Sequence, residues 1–214
     1  MIECVNISNV HLYSNNPLAA QFALRHQCIV ERQGWEVPTF KQFEYDTYDN
    51  PCTEYLVWRD DNKVVRGVSR LYPTDRPYML EEIFADLIED QNIPKSHKIM
   101  EGSRFCVDQT LPPEVRKTII KELVIAYLEY GLEKNIDAFV GVMYPAYWRN
   151  IFLKSGWDVT WLGDVKKCAD GNRVRAGKVL VSEQNLQKVR EVTGITETIL
   201  TDQYDSEQNL KKAA

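Results

Sequence analysis

The order of secondary-structure patterns in the middle of the chain constrains the fold more than any other feature. Residues 53–59, TEYLVWR, and 64–72, VVRGVSRLY, both predict strands, and only the turn DDNK separates them. A third strand is predicted at 97–107, then an amphipathic helix at 111–135 and a fourth strand, DAFVGVM. Short turns favour antiparallel pairing, whereas a strand–helix–strand order favours parallel pairing. The sequence therefore predicts a mixed sheet with helices on its faces, of the α/β (α+β) class.

Further patterns flank this centre. Residues 17–33 predict a first helix that begins at Pro17 and ends at Gly34. Residues 35–52 are aromatic, acidic and contain two prolines, which indicates an ordered loop. Later segments predict, in order, a short helix MLEEIFADLI, a helix AYWRNIFLKSG ending at Gly156, the strands WDVTWLG and NRVRAGKVLVS, and a terminal helix SEQNLQKVREVTG. We expect one domain over residues 1–214, frayed from about residue 198.

Composition excludes several classes of protein. The net charge is −5, with 44% hydrophobic and 27% charged residues, which is typical of a soluble globular protein and unlike a basic nucleic-acid-binding one. The chain has no signal-peptide pattern and no apolar run long enough to span a membrane, so we expect a cytoplasmic protein. The five cysteines are odd in number and form no CxxC, which predicts reduced, mostly buried thiols and no metal site.

Charged residues stand where a buried sheet disfavours them. They are Arg25 in the first helix, Asp46 and Asp49 in the aromatic loop, Arg70 in the second strand, and Glu101 and Arg104 in the third. If the second and third strands are neighbours, Arg70 can approach Glu101. Strand alternation places Glu101 and Arg104 on opposite faces, so a shared site requires a bulge, which we expect at Gly102.

Two interpretations of these charges remain open from the sequence pattern alone. One is a structural network of ion pairs, which a fold tolerates when every charge is satisfied. The other is a binding site, because the loop that carries the aspartates is rich in aromatic side chains. These are Trp35, Phe40, Phe43, Tyr45 and Tyr48. Aromatic rings beside carboxylates suit a cationic, amphipathic ligand.

The ordered set Arg25, Trp35, Asp46, Asp49, Arg70, Glu101 and Arg104 resembles the pattern of the acyl-homoserine-lactone synthases, the autoinducer synthases. The local strings LRHQCIVERQGW, EYDTYDNP, GVSRLYPTDRPYMLEEIF and MEGSRFCV are similar to that family too, over about residues 10–195. The resemblance implies a fold like that of the GCN5-related N-acetyltransferases (GNAT), with a V-split mixed sheet flanked by helices. It also implies a reaction in which the amine of S-adenosylmethionine (SAM) attacks an acyl thioester. The product then closes to a lactone and releases methylthioadenosine.

The resemblance implies roles for single residues. Glu101 would be the general base for the amine, with Arg70, Ser103 and Arg104 completing the catalytic set. Asp46 and Asp49 would favour the cationic end of SAM, Arg25 or Arg104 would hold its carboxylate, and Trp35 and Phe84 would supply apolar walls. Backbone N–H groups beside Ser103 and Arg104 would stabilise the oxyanion. SAM is a substrate, and no cofactor is implied. We expect Cys106 to be a core residue and not a nucleophile.

The same resemblance predicts where the acyl donor lies. An apolar acyl pocket is expected from Met79, Leu80, Phe105, Gly141, Met143, Tyr144, Tyr147, Trp148 and Leu153, although an ordinary core is the alternative for each. Bulky aromatic residues in this set favour a short, branched or aryl acyl group. A basic patch for acyl carrier protein is expected from Arg116, Lys117, Lys121, Arg149 and Lys154, unless these are solvated helix faces or the donor is acyl-coenzyme A.

Two positions depart from the family pattern. Ile29 stands where an aromatic residue is usual, four residues after Arg25, so one wall of the SAM pocket is expected to be rebuilt. Gly141 stands where members that favour 3-oxoacyl chains carry threonine, which predicts an acyl group without a 3-oxo substituent.

Two other functions compete with this one. An ordinary acyl-coenzyme A N-acyltransferase would need a Q/RxxGxG/A phosphate-binding turn, and RVRAGK is only superficially similar to it. A non-catalytic ligand-binding relative is disfavoured because Arg70, Glu101 and Arg104 are all present.

Overall fold

The computed structural model describes residues 1–89, 92–168 and 171–201. The strands are β1 (Ile2–Val5), β2 (Thr39–Phe40), β3 (Phe43–Glu44), β4 (Glu54–Arg59), β5 (Val65–Pro73), β6 (Ile99–Val107), β7 (Ala138–Met143), β8 (Thr160–Trp161), β9 (Lys166–Lys167), β10 (Arg173–Leu180) and β11 (Leu200–Thr201). The helices are α1 (Pro17–Arg25), α2 (Met79–Glu82), α3 (Pro113–Glu133), α4 (Pro145–Tyr147) and α5 (Glu183–Thr193). Wide π-helical turns continue α1 over His26–Glu31 and α4 over Trp148–Phe152.

The main sheet is mixed, as the sequence predicts. Its strand order is β11-β1-β4-β5-β6-β7-β10-β8, with β9 paired to β10. The strands from β1 through β4 and β5 to β6 pair antiparallel, and β6 pairs parallel to β7 after the crossover through α3. The predicted α/β class and V-split architecture are confirmed.

Local sequence signals set the helix ends. The Asn16 side chain accepts a hydrogen bond from the Ala19 N–H and caps α1, and Pro17 occupies its first turn. Gly34 and Gly156 have positive φ angles of 69° and 87°, and each follows a helical segment as predicted. The helix predicted at 111–135 is α3, and the apolar residues at helical spacing along it (Ile119, Leu123, Ala126, Tyr127, Tyr130) are buried.

Helices cover both faces of the sheet. On one face α3 packs over Leu56 and Leu71, and on the other α1 packs over Tyr55 and Val68. Adjacent residues of β4 thus face different layers, as strand alternation requires.

The structure differs in detail from the sequence-based description in three places. The loop 35–52 contains a small hairpin, β2–β3. The strand predicted at 157–163 shortens to β8. The tail predicted to fray from about 198 includes β11, which pairs parallel to β1, and its amides at Ile199 and Leu200 donate to Glu129. Residues 202–214 lie outside the described residues.

Candidate active site

Six charged side chains from five parts of the chain form one compact network on the α1 face of the sheet. They are Arg25 from α1, Glu44 from β3, Asp46 and Asp49 from the loop after it, Arg70 from β5 and Arg104 from β6. Three are cations and three are anions, so their formal charges cancel. We call this set the ionic network.

Arg25 anchors the buried end of the ionic network. Its Nη1 and Nη2 atoms donate to the two carboxylate oxygens of Asp49 at 2.7 and 2.8 Å, and its Nε donates to Glu44 at 2.5 Å. The Arg25 side chain is fully buried, and that of Asp49 is 1% exposed. Although burial opposes ionisation of Asp49, the Arg25 hydrogen bonds and the Arg70 charge hold its pKa well below the usual range. The side chains of Arg25 and Asp49 therefore form a buried ion pair with each other.

Arg70 and Arg104 meet at Asp46. Arg70 donates to Asp46 at 2.5 and 3.1 Å, while Arg104 donates to Asp46 at 2.7 Å and to Glu44 at 3.0 Å. Arg104 and Asp46 are 9% and 12% exposed, whereas Arg70 is fully buried. Arg104 and Asp46 thus form the open end of the ionic network.

A β-bulge in β6 brings Arg104 to this face. Arg70 lies opposite Ser103 and Val68 opposite Cys106, so two residues of β6, Arg104 and Phe105, face one residue of β5. Arg104 has a φ of +54°, a conformation that is uncommon outside glycine. The bulge predicted at Gly102 is therefore wrong in position, by two residues. The bulge nevertheless brings Glu101 and Arg104 to one site, as the sequence interpretation required, since both line the same cavity.

Gly102 serves a different purpose from the predicted one. A Cβ atom at this position would lie 2.5 Å from the Tyr127 hydroxyl oxygen, so only glycine admits the tyrosine. That hydroxyl is 2.6 Å from Ser69 Oγ, and Ser69 Oγ donates to the Ser103 carbonyl at 3.2 Å. Ser69 is the residue of β5 that lies opposite the bulge. The Ser69 hydroxyl, itself hydrogen-bonded to Tyr127, therefore satisfies a backbone carbonyl beside the bulge.

The main cavity opens where β6 and β7 separate. Their pairing ends at Glu101 opposite Val140, and the cavity of about 110 Å³ lies beyond it. Its wall includes the whole bulged stretch 101–106, together with side chains from four other segments. These are Ile29, Gln33, Trp35, Met79, Phe84, Val142, Met143, Tyr144, Tyr147, Ile151 and Val174.

Glu101 is the acidic residue of this wall. It is 2% exposed, and its carboxylate accepts hydrogen bonds from the backbone N–H groups of Met79 at 3.2 Å and Leu80 at 2.7 Å. Burial raises the pKa of Glu101 to about 7, although the Leu80 N–H and the charge of Arg70 oppose the shift. The expected approach of Arg70 to Glu101 does not produce a hydrogen bond, because Arg70 donates instead to Asp46 and to Ser103 Oγ at 3.0 Å. Glu101 can therefore exchange a proton near neutral pH inside the cavity.

The predicted SAM residues fall into two groups. Trp35, Phe84 and Arg104 line the cavity, as does Ser103 of the predicted catalytic set, and Arg70 donates to Ser103 Oγ from outside the wall. Arg25, Asp46 and Asp49 belong to the ionic network, outside the residues that form the cavity wall. Their predicted contacts with SAM remain predictions.

The predicted acyl residues also divide. Met79, Phe105, Met143, Tyr144 and Tyr147 line the main cavity. Gly141 and Trp148 line a much smaller space behind it, together with Phe105, Tyr127 and Phe152. Neither space is lined by Leu80, whose N–H bonds Glu101, or by Leu153, which is 40% exposed at the surface. The structure gives no support to these two as acyl-pocket residues.

The predicted basic patch is partly engaged in local contacts. Arg116 donates to Gln109, Lys117 pairs with Glu114 at 3.1 Å, and Lys121 donates to the Thr193 carbonyl at 3.0 Å. Arg149 and Lys154 are exposed. The patch therefore remains a prediction.

Several contributors were missed by the sequence analysis. Glu44 bridges Arg25 and Arg104, and Tyr55 donates to Asp49 at 2.7 Å. Glu44 lies inside the quoted string EYDTYDNP, so its charge beside Asp46 was an available signal. The role of Tyr127 depends on packing between α3 and β6, which no local pattern encodes.

Three expected absences, of disulfides, of a metal site and of a membrane span, are considered for the described residues only. The five cysteines are all free thiols, with Cys28 and Cys106 buried and Cys52 exposed. In the described ranges no cluster of three or more His, Cys, Asp or Glu residues could hold a metal ion. None of the helices described combines the length and apolar character that crossing a membrane needs.

Comparisons with known proteins show the family and the fold of this chain. A family model described as autoinducer synthase matches residues 9–189. The isovaleryl-homoserine lactone synthase of Bradyrhizobium diazoefficiens is 30% identical over 205 residues, covering 94% of this chain and 90% of that protein. A structure described as a CoA-dependent acyl-homoserine lactone synthase, BjaI, with SAM and isopentyl-CoA is similar with a TM-score of 0.85 at 28% identity. That match covers 100% of this chain and 98% of BjaI. The fold alone is shared with the N-acyl amino acid synthase FeeM, at a TM-score of 0.56 and 17% identity.

The split sheet with a cavity at its opening is the fold that these synthases share, and FeeM shares the fold alone. Acyl transfer is the activity of the matched family and its named members. The chain belongs to the autoinducer synthase family. It is an acyl-homoserine-lactone synthase, an enzyme that makes a quorum-sensing signal.

Proposed function

We propose that the cavity between β6 and β7 is where the amine of SAM is acylated, with Glu101 as the group that accepts the proton of the amine. The observation that carries this proposal is a buried carboxyl group in the cavity wall whose pKa is raised to about 7. A general base is most effective when its pKa lies near the working pH. The scattered histidines, His11, His26 and His97, are not part of the cavity wall.

The proposed reaction has two steps. The amine attacks the thioester carbonyl and its proton passes to Glu101. The C–S bond then breaks, and the leaving thiolate takes up that proton and departs as the thiol. The carboxylate of the acylated intermediate then attacks its own γ-carbon, and the bond from that carbon to the sulfonium breaks. Methylthioadenosine leaves, and the lactone ring is closed. Because the sulfonium is already a good leaving group, positioning of the two ends can carry the second step.

The bulged stretch of β6 offers groups for two charges in the reaction, the oxyanion and the carboxylate of SAM. Beyond Glu101, β6 no longer pairs with β7, so backbone N–H groups of residues 102–105 are candidates to stabilise the oxyanion. Arg104 is the partly exposed arginine of the ionic network and lines the cavity, so it suits the carboxylate of SAM better than the fully buried Arg25.

The acyl group is proposed to be short, branched or aryl, and to lack a 3-oxo substituent. The space behind the main cavity is narrow and aromatic. A Cβ atom added at Gly141 would lie 2.7 Å from the Gly102 carbonyl oxygen, so a threonine there would force the two strands apart. The similarity to BjaI, whose structure holds isopentyl-CoA, favours a branched group and coenzyme A as the carrier. The cytoplasm, where such thioesters are made, is the proposed location.

The test is an assay of the purified chain with SAM and a panel of acyl thioesters, in coenzyme A and carrier-protein forms. We expect methylthioadenosine release and a lactone by mass spectrometry, with branched acyl-CoA preferred. Acylation of an amine without methylthioadenosine release would identify an ordinary N-acyltransferase. Failure of every donor would contradict the synthase mechanism, and a clear preference for 3-oxoacyl donors would contradict the interpretation of Gly141.

A further inference from the structure

Two aromatic side chains meet across the main cavity. Trp35 lies just after the first helical segment, and Tyr144 directly follows β7. The Trp35 indole N–H donates to the Tyr144 hydroxyl oxygen at 2.8 Å, and the two rings meet edge to face with centroids 5.9 Å apart. Both side chains line the cavity. One hydrogen bond therefore links the segment that leads into the ionic network with the strand that borders the acyl side.

The cavity needs a group that can hold a sulfonium cation. Glu101 is the carboxylate among the described residues of its wall, and the proposed mechanism uses it as the base. The two aspartates suggested for this role, Asp46 and Asp49, are paired with buried arginines. An aromatic ring face attracts a cation, and tryptophan does so best. Trp35 is the tryptophan among the described residues that line the main cavity.

The residue at position 29 explains why the Trp35 indole needs a hydrogen-bond partner from another segment to fix its orientation. Ile29 is 4% exposed and supplies an aliphatic side chain to the cavity wall. An aliphatic side chain offers no ring edge and no hydrogen-bond acceptor to fix the orientation of an indole. Tyr144 offers both, and it is backed by Tyr147 with ring centroids 5.4 Å apart. The wall that Ile29 leaves aliphatic is thus rebuilt from the turn after β7.

We propose that Tyr144 is a positioning residue that holds the Trp35 indole with its face toward the sulfonium of SAM. The proposal rests on the proposed function, which brings SAM into this cavity. It assigns recognition of the cation to Trp35 and the orientation of Trp35 to the Tyr144 hydroxyl. Because Tyr144 follows β7, the SAM side of the site is thereby tied to the acyl side.

The test is Tyr144→Phe, which keeps the ring and removes the acceptor. Loss of one hydrogen bond predicts an increase of about three- to tenfold in the KM for SAM, with kcat at saturating substrate within about twofold of wild type. Calorimetry with SAM and with its neutral thioether analogue, S-adenosylhomocysteine, supplies the specific readout. The preference for the cation is expected to fall about two- to fivefold, a change that a merely structural role would not produce.

Two further variants keep the test decisive. Tyr147→Phe removes a hydroxyl group from the same wall without touching the Trp35 hydrogen bond, so its cation preference should equal that of wild type. Trp35→Phe removes the donor, and Tyr144→Phe should then have no additional effect, because a double-mutant cycle isolates the pair. Additive effects, or an unchanged cation preference in Tyr144→Phe, would overturn the inference. If wild type itself neither binds SAM nor releases methylthioadenosine, it is the proposed function that fails.

Discussion

At the scale of single residues, Glu101 has a pKa that suits its proposed role as general base. Its two backbone donors fix the carboxylate, while burial keeps the group protonated up to higher pH than an exposed glutamate. An arginine-paired carboxylate such as Asp49 has the opposite shift and suits structure, not proton transfer. The two acids are thus separated in function by their surroundings.

Glu101→Gln should lower turnover by about two orders of magnitude or more, because glutamine cannot accept the proton of the amine. SAM affinity should change only a few-fold, since the amide oxygen can still accept the Leu80 N–H. Rates come from methylthioadenosine release and affinity from calorimetry. Glu82→Gln is the matched control, because Glu82 accepts a hydrogen bond from Tyr48 outside the cavity wall and its loss should leave turnover intact. An unchanged rate in Glu101→Gln would remove this residue from the mechanism.

The pH dependence of the rate should report the same group. Glu101 acts as a base only when ionised, and its pKa is raised to about 7, so turnover should rise between about pH 6 and 8 and then level off. An α-amino group titrates at about 7.7–8.0 in peptides, so the amine of SAM could produce a similar limb. Glu101→Asp separates the two, because only the enzyme group would shift the midpoint. A midpoint identical in both proteins would assign the limb to SAM.

At the scale of elements, the bulge in β6 determines which side chains of the strand share a face. Without it, alternation would direct Glu101 and Arg104 to opposite faces. The extra residue returns Arg104 to the face of Glu101, at the cost of a positive φ angle. The hydrogen bonds from Tyr127 through Ser69 to the Ser103 carbonyl, together with the Arg104 ion pairs, keep the strand in this conformation.

Tyr127→Phe should therefore affect both stability and catalysis. Loss of the hydroxyl leaves Ser69 with one partner fewer in a buried place, which predicts about 1 kcal/mol of destabilisation and a kcat several-fold lower. Tyr130→Phe, on the same face of α3, removes a hydroxyl that lies against Met100 Sδ at 3.6 Å, and it should lower stability without a comparable loss of kcat. Denaturant unfolding and initial rates measure the two effects. Equal kcat values in the two variants would show that the bulge does not need Tyr127.

At the scale of the whole molecule, the sequence predicts the layers better than the contacts between them. Periodicity correctly predicts β4, β5, β6, α3 and β7, because each has its own apolar pattern and end signals. Strands of two residues, such as β11, carry no periodic signal, and β11 exists because β1 offers it an edge. Local pattern also places the bulge wrongly. Glycine at 102 suggests one, but the actual site is chosen by long-range partners of Arg104.

The candidate site shows the same division. The charged residues were identifiable because strands seldom carry them, yet which charges pair could not be predicted. Strand order suggests that Arg70 pairs with Glu101. Arg70 pairs instead with Asp46, because the loop that carries Asp46 folds over β5. The structural-network interpretation fits the buried pairs of Arg25, Asp49 and Arg70, and the binding-site interpretation stays a prediction. The ionic network binds the loop to the sheet, and its open end reaches the cavity through Arg104.

The ionic network also predicts how the whole fold responds to loss of one charge. Asp49→Asn would leave Arg25 and Arg70 buried with too few anions, so unfolding free energy at pH 7 should fall by about 3–5 kcal/mol. Asp60→Asn breaks the Arg66 pair, whose members are 28% and 23% exposed, and should cost at most about 1 kcal/mol.

Lowering the pH should reduce the free energy of unfolding, as Asp49→Asn does. The pKa of Asp49 is depressed in the folded state, so its stabilising effect is complete above its unfolded value, near 3.8, and is lost as the pH falls below that. Wild type and Asp49→Asn should therefore converge in stability at low pH, whereas the gap between wild type and Asp60→Asn stays small throughout. Urea unfolding at a series of pH values measures these differences. A constant gap between wild type and Asp49→Asn down to the lowest pH would mean that the charge of Asp49 does not stabilise the fold.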